Sequence, residues 1–297
     1  MKYEFLIIGF GSIGRRYYHI LKKNNRQNKI RILSKHIKKN KTFINKRSEI
    51  KKLKPDLVII CSKTSDHVKD LKLVNKYFKN TKILIEKPIF SKVEKIKGNS
   101  NKIFVGYNLR FHPLLQKLIR TLKNKNIFSI CINCSSYLPN WRKNINYSSS
   151  SSASDVKGGG VLKDLSHELD YLFLILNKVN INFFQNKKIS NLNIKTNDYF
   201  SLNASSGNTI INMNLKYFSL KAYRFITVDC ENTHFNLDLI KNRLLVQTKK
   251  KYNLFTLKKF NMNDTYLNQV LSILNNKKQA CSFKEGIKII KFIEKLN

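Results

Sequence analysis

The chain has 297 residues, of which 42% are hydrophobic and 25% charged, and its formal net charge is +39. This length fits about two domains, and the composition excludes a wholly disordered, collagen-like or coiled-coil protein. No apolar run approaches the roughly 20 residues that cross a bilayer. The first apolar segment is short, contains Glu4 and leads into a glycine-rich turn, so we expect a cytoplasmic protein without signal peptide or membrane span.

The excess of basic residues has two interpretations. Lys and Arg number 57 against 18 Asp and Glu, which a nucleic-acid or anionic-membrane partner would explain. However, only 10 of the 57 are Arg, Asn and Ile are also abundant, and the lysines are spread along the chain, as in proteins of AT-rich genomes. We favour compositional bias and expect no specific nucleic-acid or membrane partner, although such a surface attracts anionic ligands such as phosphates and sugar nucleotides.

The five cysteines are too few, and odd in number, for a disulfide framework. Cys131 and Cys134 form a C-x-x-C pattern, but no second pair or suitably spaced histidines follow. The pair lies in a predicted strand, in which residues three apart point to opposite faces. We therefore expect no metal site.

The first third of the chain alternates strands with helices. Helices are predicted at residues 13–23 and 67–78, and strands at residues 3–8, 29–33, 56–61, 83–85 and 103–106. Continuous apolar strands separated by helices indicate a parallel sheet covered on both faces. We expect a doubly wound Rossmann domain of the α/β class over residues 1–108.

After residue 108 the pattern changes. Helices are predicted at residues 112–122, 162–176, 265–275 and 283–296, and strands at 128–137, 209–215, 224–229 and 244–248. Strands in a row after one long helix indicate an α+β domain with a mostly antiparallel sheet, over residues 109–297. The five serines of residues 148–152 are predicted to be too polar and flexible to pack, and to form either a mobile loop over a cleft or a linker.

Residues 9–14 read G-F-G-S-I-G between a predicted strand and a predicted helix. In this context the pattern is typical of dinucleotide-binding turns. Gly9 permits the tight turn, Gly11 lets the backbone approach a pyrophosphate, and Gly14 lets the helix pack on the sheet. The backbone N–H groups near Ser12 and Ile13 then face the anion at the positive helix end, with Phe10 in the same turn.

The end of the second strand selects between dinucleotides. An acidic residue there bonds the adenosine ribose and repels a 2′-phosphate. This sequence instead has Ser34 and Lys35, a hydroxyl and a cation that suit a phosphate. We predict a preference for NADP over NAD, while the alternative remains that Lys35 is one more lysine in a lysine-rich chain.

These features, with four further motifs, resemble the Gfo/Idh/MocA oxidoreductase family over nearly the whole chain. The motifs are D-L-V-I-I-C at 56–61, E-K-P at 86–88, G-Y-N-L-R-F-H-P at 106–113 and G-G-G-V-L-K-D-L-S-H-E-L-D at 158–170. Residues 137–147, Y-L-P-N-W-R-K-N-I-N-Y, further resemble a subgroup associated with bacterial surface-polysaccharide and nonulosonic-acid sugar biosynthesis.

The resemblance implies roles for residues at the ends of the Rossmann strands. Lys87 would lie between nicotinamide and substrate, where a cation could polarise a carbonyl or hold a sugar hydroxyl during hydride transfer. Glu86 would contact the cofactor or orient this lysine. Further cofactor contacts are expected from Cys61, Thr64 and His67.

The resemblance places an acid–base group in the glycine-rich helix entry. His167 is the histidine of this segment and has a suitable intrinsic pKa. Asp164 precedes it by three residues, so on one helix both share a face, and Asp170 extends that face. Many family members have the aspartate four residues before the histidine, where this chain has Lys163. Asp164 is therefore expected to bind substrate or orient the imidazole, or else to cap the helix N-terminus.

Substrate contacts are expected from Arg110, Trp141, Arg142 and Tyr147. Arginine grips carboxylates and phosphates in bidentate fashion, and aromatic rings stack on sugar faces. The alternative is ordinary packing for Trp141 and an exposed Arg142.

Together these features predict an NAD(P)-dependent oxidoreductase that acts on a sugar or sugar-derived substrate, nucleotide-linked sugars included. Two other hypotheses stay open: a non-catalytic dinucleotide-binding protein of the same fold, which the shifted Asp164 favours, and a nucleic-acid-binding protein, which rests on charge alone. The resemblance also implies a homo-oligomer, dimer or tetramer, formed through the C-terminal sheet.

Overall fold

A computed structural model describes residues 2–35, 37–38, 40–96, 100–142 and 146–297. The chain forms two compact units. The N-terminal unit comprises Met1–Asn108 and Asn261–Glu294, and the second unit comprises Leu109–Phe260 and Lys295–Asn297.

The strands are β1 (Glu4–Ile8), β2 (Lys29–Leu33), β3 (Phe43–Ile44), β4 (Leu57–Ile60), β5 (Lys82–Ile85), β6 (Lys102–Val105), β7 (Ile127–Tyr137), β8 (Asn180–Lys187), β9 (Tyr199–Ser206), β10 (Thr209–Lys216), β11 (Phe218–Cys230), β12 (Thr233–Asp238), β13 (Arg243–Thr248), β14 (Tyr252–Thr256) and β15 (Cys281–Ser282). The helices are α1 (Ser12–Asn24), α2 (His67–Tyr77), α3 (Pro113–Leu122), α4 (Val161–Asp164), α5 (His167–Ile175), α6 (Met262–Leu274) and α7 (Phe283–Glu294). Among the described residues, no helix combines the length and apolar character that a membrane span requires.

The N-terminal unit contains a seven-stranded sheet in the order β15-β6-β5-β4-β1-β2-β3. All neighbouring strands are parallel except β15, which runs antiparallel to β6. β4 is buried throughout, as expected of a strand covered on both faces. This sheet confirms the predicted Rossmann-type fold and brings the carboxyl ends of β1, β2 and β4 side by side, with Ile8 paired to Leu33 and Ile60.

The second unit contains an eight-stranded sheet in the order β14-β13-β12-β11-β7-β10-β9-β8. Its strands pair antiparallel except β7 and β10, which are parallel. Inward and outward residues alternate along β10, where Ile211 and Met213 are buried while Ile210 and Asn212 are exposed. The predicted α+β unit with a mostly antiparallel sheet is confirmed.

The chain returns to the N-terminal unit near its end, which differs from the expected division at residues 109–297. Residues 261–294 pack with the N-terminal unit because α6 lies against α1 and β15 adds to the sheet at β6. Cys281 pairs with Val105 across 176 residues of sequence. This return of the chain depends on long-range contacts, which the local periodicity of the sequence does not indicate.

Candidate functional site

The turn after β1 has the backbone of a phosphate-binding loop. Gly9 has φ +91°, and a Cβ added there would lie 2.7 Å from the backbone nitrogen of Ser62. A Cβ on Gly14 would overlap the carbonyl oxygen of Gly9. Because neither position has room for a side chain, both glycines are needed for α1 to leave the strand at this angle.

Gly11 is glycine for a different reason. A Cβ there would have nothing within 4 Å, and Gly11 and Ser12 are exposed. Gly11 is the N-cap of α1 and provides no side-chain cap. The positive end of the helix, with Ser12 and half-buried Ile13 in its first turn, therefore borders open space of the kind that a pyrophosphate occupies. The residues present fit a bound dinucleotide.

The end of β2 lies directly beside this turn, since the Gly9 N–H donates to the Leu33 carbonyl oxygen at 3.0 Å. Ser34 follows with 9% of its surface exposed, and its N–H donates to Ile44 at 3.1 Å. Lys35 is exposed. The structure thus places both predicted cofactor-selecting residues at the strand end beside the phosphate-binding turn.

His67 holds two strand ends together. Its Nδ1 lies 3.0 Å from the Ile89 carbonyl oxygen and 3.2 Å from that of Pro88, and its Nε2 lies 3.2 Å from that of Ser62. Burial lowers the pKa of the imidazole. The structure corrects the expectation of a cofactor contact: the ring is 1% exposed and both of its nitrogens face backbone carbonyls, so it lies packed between the segments after β4 and β5.

Cys61 and Thr64 follow β4 near the turn. The Cys61 Cβ lies 3.6 Å from the position of a Cβ on Gly14. Burial raises the pKa of the Cys61 thiol well above its usual range, so the thiol stays neutral and packs. Thr64 is half-buried at the start of a short 3₁₀ turn, Thr64–Asp66.

Glu86 belongs to a buried hydrogen-bonded chain that the sequence did not reveal. Tyr17 donates its hydroxyl to Glu86 Oε1 at 2.8 Å, and Gln269 Nε2 donates to the Tyr17 hydroxyl oxygen at 3.0 Å. Gly106 leaves room for the carboxyl, because a Cβ there would lie 2.7 Å from Glu86 Oε1. The carboxyl also accepts a hydrogen bond from the Lys87 backbone N–H. Glu86 is thereby fixed directly against the lysine that follows it.

Burial raises the pKa of Glu86 to about 7, against the opposing effects of the Tyr17 hydrogen bond and the Lys87 charge. Lys87 itself is half-buried at the carboxyl end of β5, and its peptide bond to Pro88 is cis. Open α/β sheets bind ligands at the carboxyl ends of their strands. Lys87 therefore has both the location and the charge that a site on this edge requires.

In the second unit, the helix predicted over residues 162–176 is interrupted. α4 ends at Asp164, Leu165 leaves helical geometry (φ −97°, ψ 28°), and α5 begins at His167. The expectation that Asp164 and His167 share one helix face is therefore wrong. The alternative of a helix N-cap is also wrong, because the N-cap of α5 is Ser166.

The Asp164 carboxylate is held by Tyr217, whose fully buried hydroxyl donates to Oδ2 at 2.5 Å. Burial, followed by the Asp164 charge, raises the pKa of Tyr217, so the phenol remains a donor throughout the neutral range. His167 is the first residue of α5 and is 9% exposed. The two candidate acid–base residues thus lie on either side of the break between two helices.

Arg110 is paired internally. Its Nε lies 3.0 Å from Asp170 Oδ2 and its Nη2 lies 2.6 Å from Oδ1, with side chains 5% and 2% exposed. The structure corrects the expectation that Arg110 grips substrate: the carboxylate that it grips is Asp170. A buried bidentate pair of this kind fixes α5 to the segment before α3.

A second buried pair, Glu168 with Arg224 of β11 at 2.7 Å, was missed because its partners lie 56 residues apart. Cys134 borders this pair, and burial raises the pKa of its thiol to about 12. Cys131, in contrast, is half-buried. Within the described part of the chain, no group of three or more His, Cys, Asp or Glu side chains could hold a metal ion.

Three predicted substrate residues meet around one small pocket, which Trp141, Arg142 and Tyr147 line. Trp141 Nε1 donates to Ser136 at 2.9 Å, and its ring meets that of Tyr217 edge-on at 5.2 Å. The indole thus lies next to the tyrosine that holds Asp164. Residues 143–145 of the predicted recognition stretch lie outside the described residues.

The serine segment packs, which corrects the expectation of a flexible run. Ser152 is 5% exposed, and its carbonyl oxygen accepts a hydrogen bond from Thr196 Oγ1 at 3.0 Å. A Cβ on Gly159 would overlap the carbonyl oxygen of Ser151. The triple glycine therefore makes room for the serine backbone, a contact that serine composition cannot indicate.

Comparison with known proteins agrees with this geometry. Residues 3–102 match the model of the Gfo/Idh/MocA family, described as an oxidoreductase family with an NAD-binding Rossmann fold. This part of the N-terminal unit is therefore similar to the NAD-binding Rossmann domain of that family. No curated protein sequence matches the chain.

Solved structures share the fold of this chain over its length. UDP-N-acetylglucosamine 3-dehydrogenase GnnA from Acidithiobacillus ferrooxidans is 14% identical, with TM-score 0.79, covering 100% of this chain and 97% of its own. The WlbA dehydrogenase from Bordetella pertussis, solved with NADH and UDP-GlcNAcA, is 14% identical, with TM-score 0.77 and coverage of 100% and 95%. A super-repressor mutant of Gal80p from Saccharomyces cerevisiae is 13% identical, with TM-score 0.80 and coverage of 100% and 95%.

Proposed function

We propose that this protein is an NAD(P)-dependent oxidoreductase that transfers hydride between nicotinamide and a carbinol carbon of a sugar or nucleotide-linked sugar. The observation that carries the proposal is the phosphate-binding turn, in which Gly9 and Gly14 are sterically required and Gly11 opens onto free space. The family match over residues 3–102 supports the same cofactor class.

The bound dinucleotide would supply or accept the hydride. The protein's own contribution would begin at the turn, where backbone N–H groups at the start of α1 would hold the pyrophosphate. Lys87 would then steady negative charge on the reacting oxygen as the proton leaves it. Its ammonium is suited to this role because Glu86 fixes the adjoining backbone.

Proton transfer is assigned to the second unit. His167 would take the hydroxyl proton during oxidation and return it during reduction. Asp164, held by Tyr217, would bind a substrate hydroxyl. Trp141, Arg142 and Tyr147 would contact the rest of the substrate, with the arginine available for a phosphate.

A nucleotide-linked sugar of surface-polysaccharide biosynthesis is the substrate class we favour. The support is the likeness in fold to GnnA and WlbA together with the motif at residues 137–147. Arg142 is exposed, so its charge can reach an anionic ligand.

Fluorescence titration with NADPH and NADH tests the cofactor assignment, followed by turnover of a panel that includes UDP-N-acetylglucosamine. We expect micromolar binding, and we expect Lys87→Ala and His167→Ala to keep it within about threefold while turnover falls at least about 100-fold. Lys63→Ala, an exposed lysine at the same sheet edge, serves as control and should turn over normally. Binding of neither nucleotide would remove the oxidoreductase proposal.

A non-catalytic dinucleotide-binding protein is the second candidate. The observation that favours it is the likeness to Gal80p, which is described as a repressor and has a TM-score of 0.80. Tight cofactor binding without redox change across the sugar panel would support this alternative over the enzyme.

A further inference from the structure

The hydrogen-bonded chain of Gln269, Tyr17 and Glu86 ends at the backbone of Lys87. Gln269 of α6 donates its Nε2 to the Tyr17 hydroxyl oxygen at 3.0 Å, and Tyr17 of α1 donates to Glu86 Oε1 at 2.8 Å. The carboxyl in turn accepts the Lys87 backbone N–H. Tyr17 and Gln269 are fully buried and Glu86 is 8% exposed, so these bonds lie in a low-dielectric interior, where they are strengthened.

The hydrogen-bonded chain has a direction. Because the Tyr17 oxygen accepts from Gln269, its own proton is directed at Glu86. Burial, followed by the Glu86 charge, raises the pKa of Tyr17 well above its usual range, so the phenol remains a donor at neutral pH. A donor at this position favours the ionised carboxyl, and an ionised carboxyl binds the Lys87 N–H more strongly than a neutral one.

The buried amide of Gln269 indicates a purpose beyond packing. Its Oε1 makes no hydrogen bond to any described residue. A buried oxygen without a donor opposes folding, so an apolar side chain of the same length would suit the contact between α1 and α6 better. What the amide supplies is the N–H group that Tyr17 accepts.

We propose that Tyr17 and Gln269 are positioning residues for Lys87 and act through Glu86. They hold the carboxyl against the Lys87 backbone and thereby fix the lysine at the carboxyl end of β5. This inference rests on the proposed function, which gives Lys87 its catalytic role. It makes α6, where the hydrogen-bonded chain begins, a support of that lysine.

The ionisation of Glu86 provides a readout, because the carboxyl has a pKa of about 7 and its charge changes the hydrogen bond of the Lys87 N–H. Loss of the Tyr17 hydroxyl removes a bond that favours the ionised form, so the pKa should rise further. The titratable and charged groups that face Glu86 are Tyr17 and Arg16 of α1, Tyr266 of α6, Cys61 after β4, and Lys87.

The test follows the Lys87 amide by NMR. After cell-free labelling with carbonyl-¹³C glutamate and ¹⁵N lysine, a carbonyl–amide correlation shows only lysines that follow a glutamate, at 86–87, 94–95 and 294–295. The Lys87 signal is the one that Glu86→Gln removes. We expect the pH midpoint of this signal to rise by at least about half a pH unit in Tyr17→Phe and by less in Gln269→Met. Gln269→Met keeps the side-chain length and removes the oxygen without a partner, so it should fold even if Tyr17→Phe does not.

Tyr266→Phe is the matched control, because it also removes a phenol hydroxyl, one that accepts from Arg16 at 3.2 Å instead of binding Glu86. Its midpoint should stay within about 0.2 pH units of wild type. A role confined to packing α6 against α1 would leave the midpoint unchanged in the folded Tyr17 and Gln269 variants, and that result would overturn the inference. An equal rise in Tyr266→Phe would overturn it as well.

Kinetics separates this inference from the proposed function. With a sugar that the wild type turns over, Tyr17→Phe and Gln269→Met should lower kcat at least about fivefold and keep the KM for the nucleotide within about twofold. An unchanged kcat beside a raised midpoint would overturn the positioning role and leave the oxidoreductase proposal intact. Binding of neither NADPH nor NADH would overturn both.

Discussion

At the scale of single residues, the buried carboxyl of Glu86 carries the clearest pH dependence. Desolvation raises its pKa from 4.5 to about 7, so the folded state binds a proton that the unfolded chain has released. Several groups face it: Tyr17 and Arg16 from α1, Tyr266 from α6, and Lys87 beside it. Stability therefore falls as pH rises from about 4.5 through 7.

Glu86→Gln should remove this titration while keeping the side-chain shape. We expect the free energy of unfolding of Glu86→Gln to increase, relative to that of wild type, by about 2 kcal/mol between pH 5 and pH 8, because only the wild type loses stability over this range. Urea unfolding followed by circular dichroism at both pH values measures it. Glu231→Gln, on an exposed turn, is the control and should show no such trend. If the unfolding free energies of Glu86→Gln and wild type differed by the same amount at both pH values, this would contradict the raised pKa of Glu86.

At the scale of elements, two glycines of the phosphate-binding turn differ in the space around them. Gly14 has no room for a Cβ, while Gly11 has nothing within 4 Å and ordinary backbone angles (φ −75°). Gly14 is thus needed for packing of α1 on the turn, whereas Gly11 is not, and we predict that Gly11 serves the approach of a ligand.

Gly11→Ala should leave the melting temperature within about 2 °C but weaken NADPH and NADH alike by at least tenfold, because the added methyl occupies the space of the pyrophosphate. Gly14→Ala should destabilise the fold by more than about 2 kcal/mol, since α1 must shift off the turn. Differential scanning fluorimetry and nucleotide titration of both variants check the pair. Unchanged affinity in Gly11→Ala would place the ligand elsewhere.

The elements that the sequence predicts well are those whose signal is local. Apolar runs and the glycine spacing predict β1, β2, β4 and α1 to within a residue or two. The break between α4 and α5 was not predicted, and the hydrogen bond beside it, from Tyr217 to Asp164, joins residues 53 apart that local periodicity does not connect. The pairing of Arg110 with Asp170 is likewise a long-range contact, and motif position alone suggested a substrate role.

At the scale of the whole molecule, anion binding by the dispersed charge of +39 and anion binding at the glycine-rich turn should depend differently on salt concentration. The lysines are dispersed, so any attraction that they exert on a polyanion acts through many weak, screened contacts. In the proposed function the turn would instead hold an anion by fixed backbone N–H groups at the start of α1, a local interaction of defined geometry.

Binding of nucleic acid and of dinucleotide should therefore diverge as salt is raised. We expect a mobility shift of duplex DNA or RNA at about 20 mM NaCl to disappear at about 150 mM, because counterion release makes diffuse binding steeply salt-dependent. The NADPH dissociation constant should rise by less than about tenfold over the same range, since far fewer charges are neutralised. Gly11→Ala is the control, since it should lose dinucleotide affinity and leave the low-salt shift unchanged. A nucleic-acid shift that persists at 150 mM would show that the basic surface contains a built site, and the lysine content would then need a functional explanation.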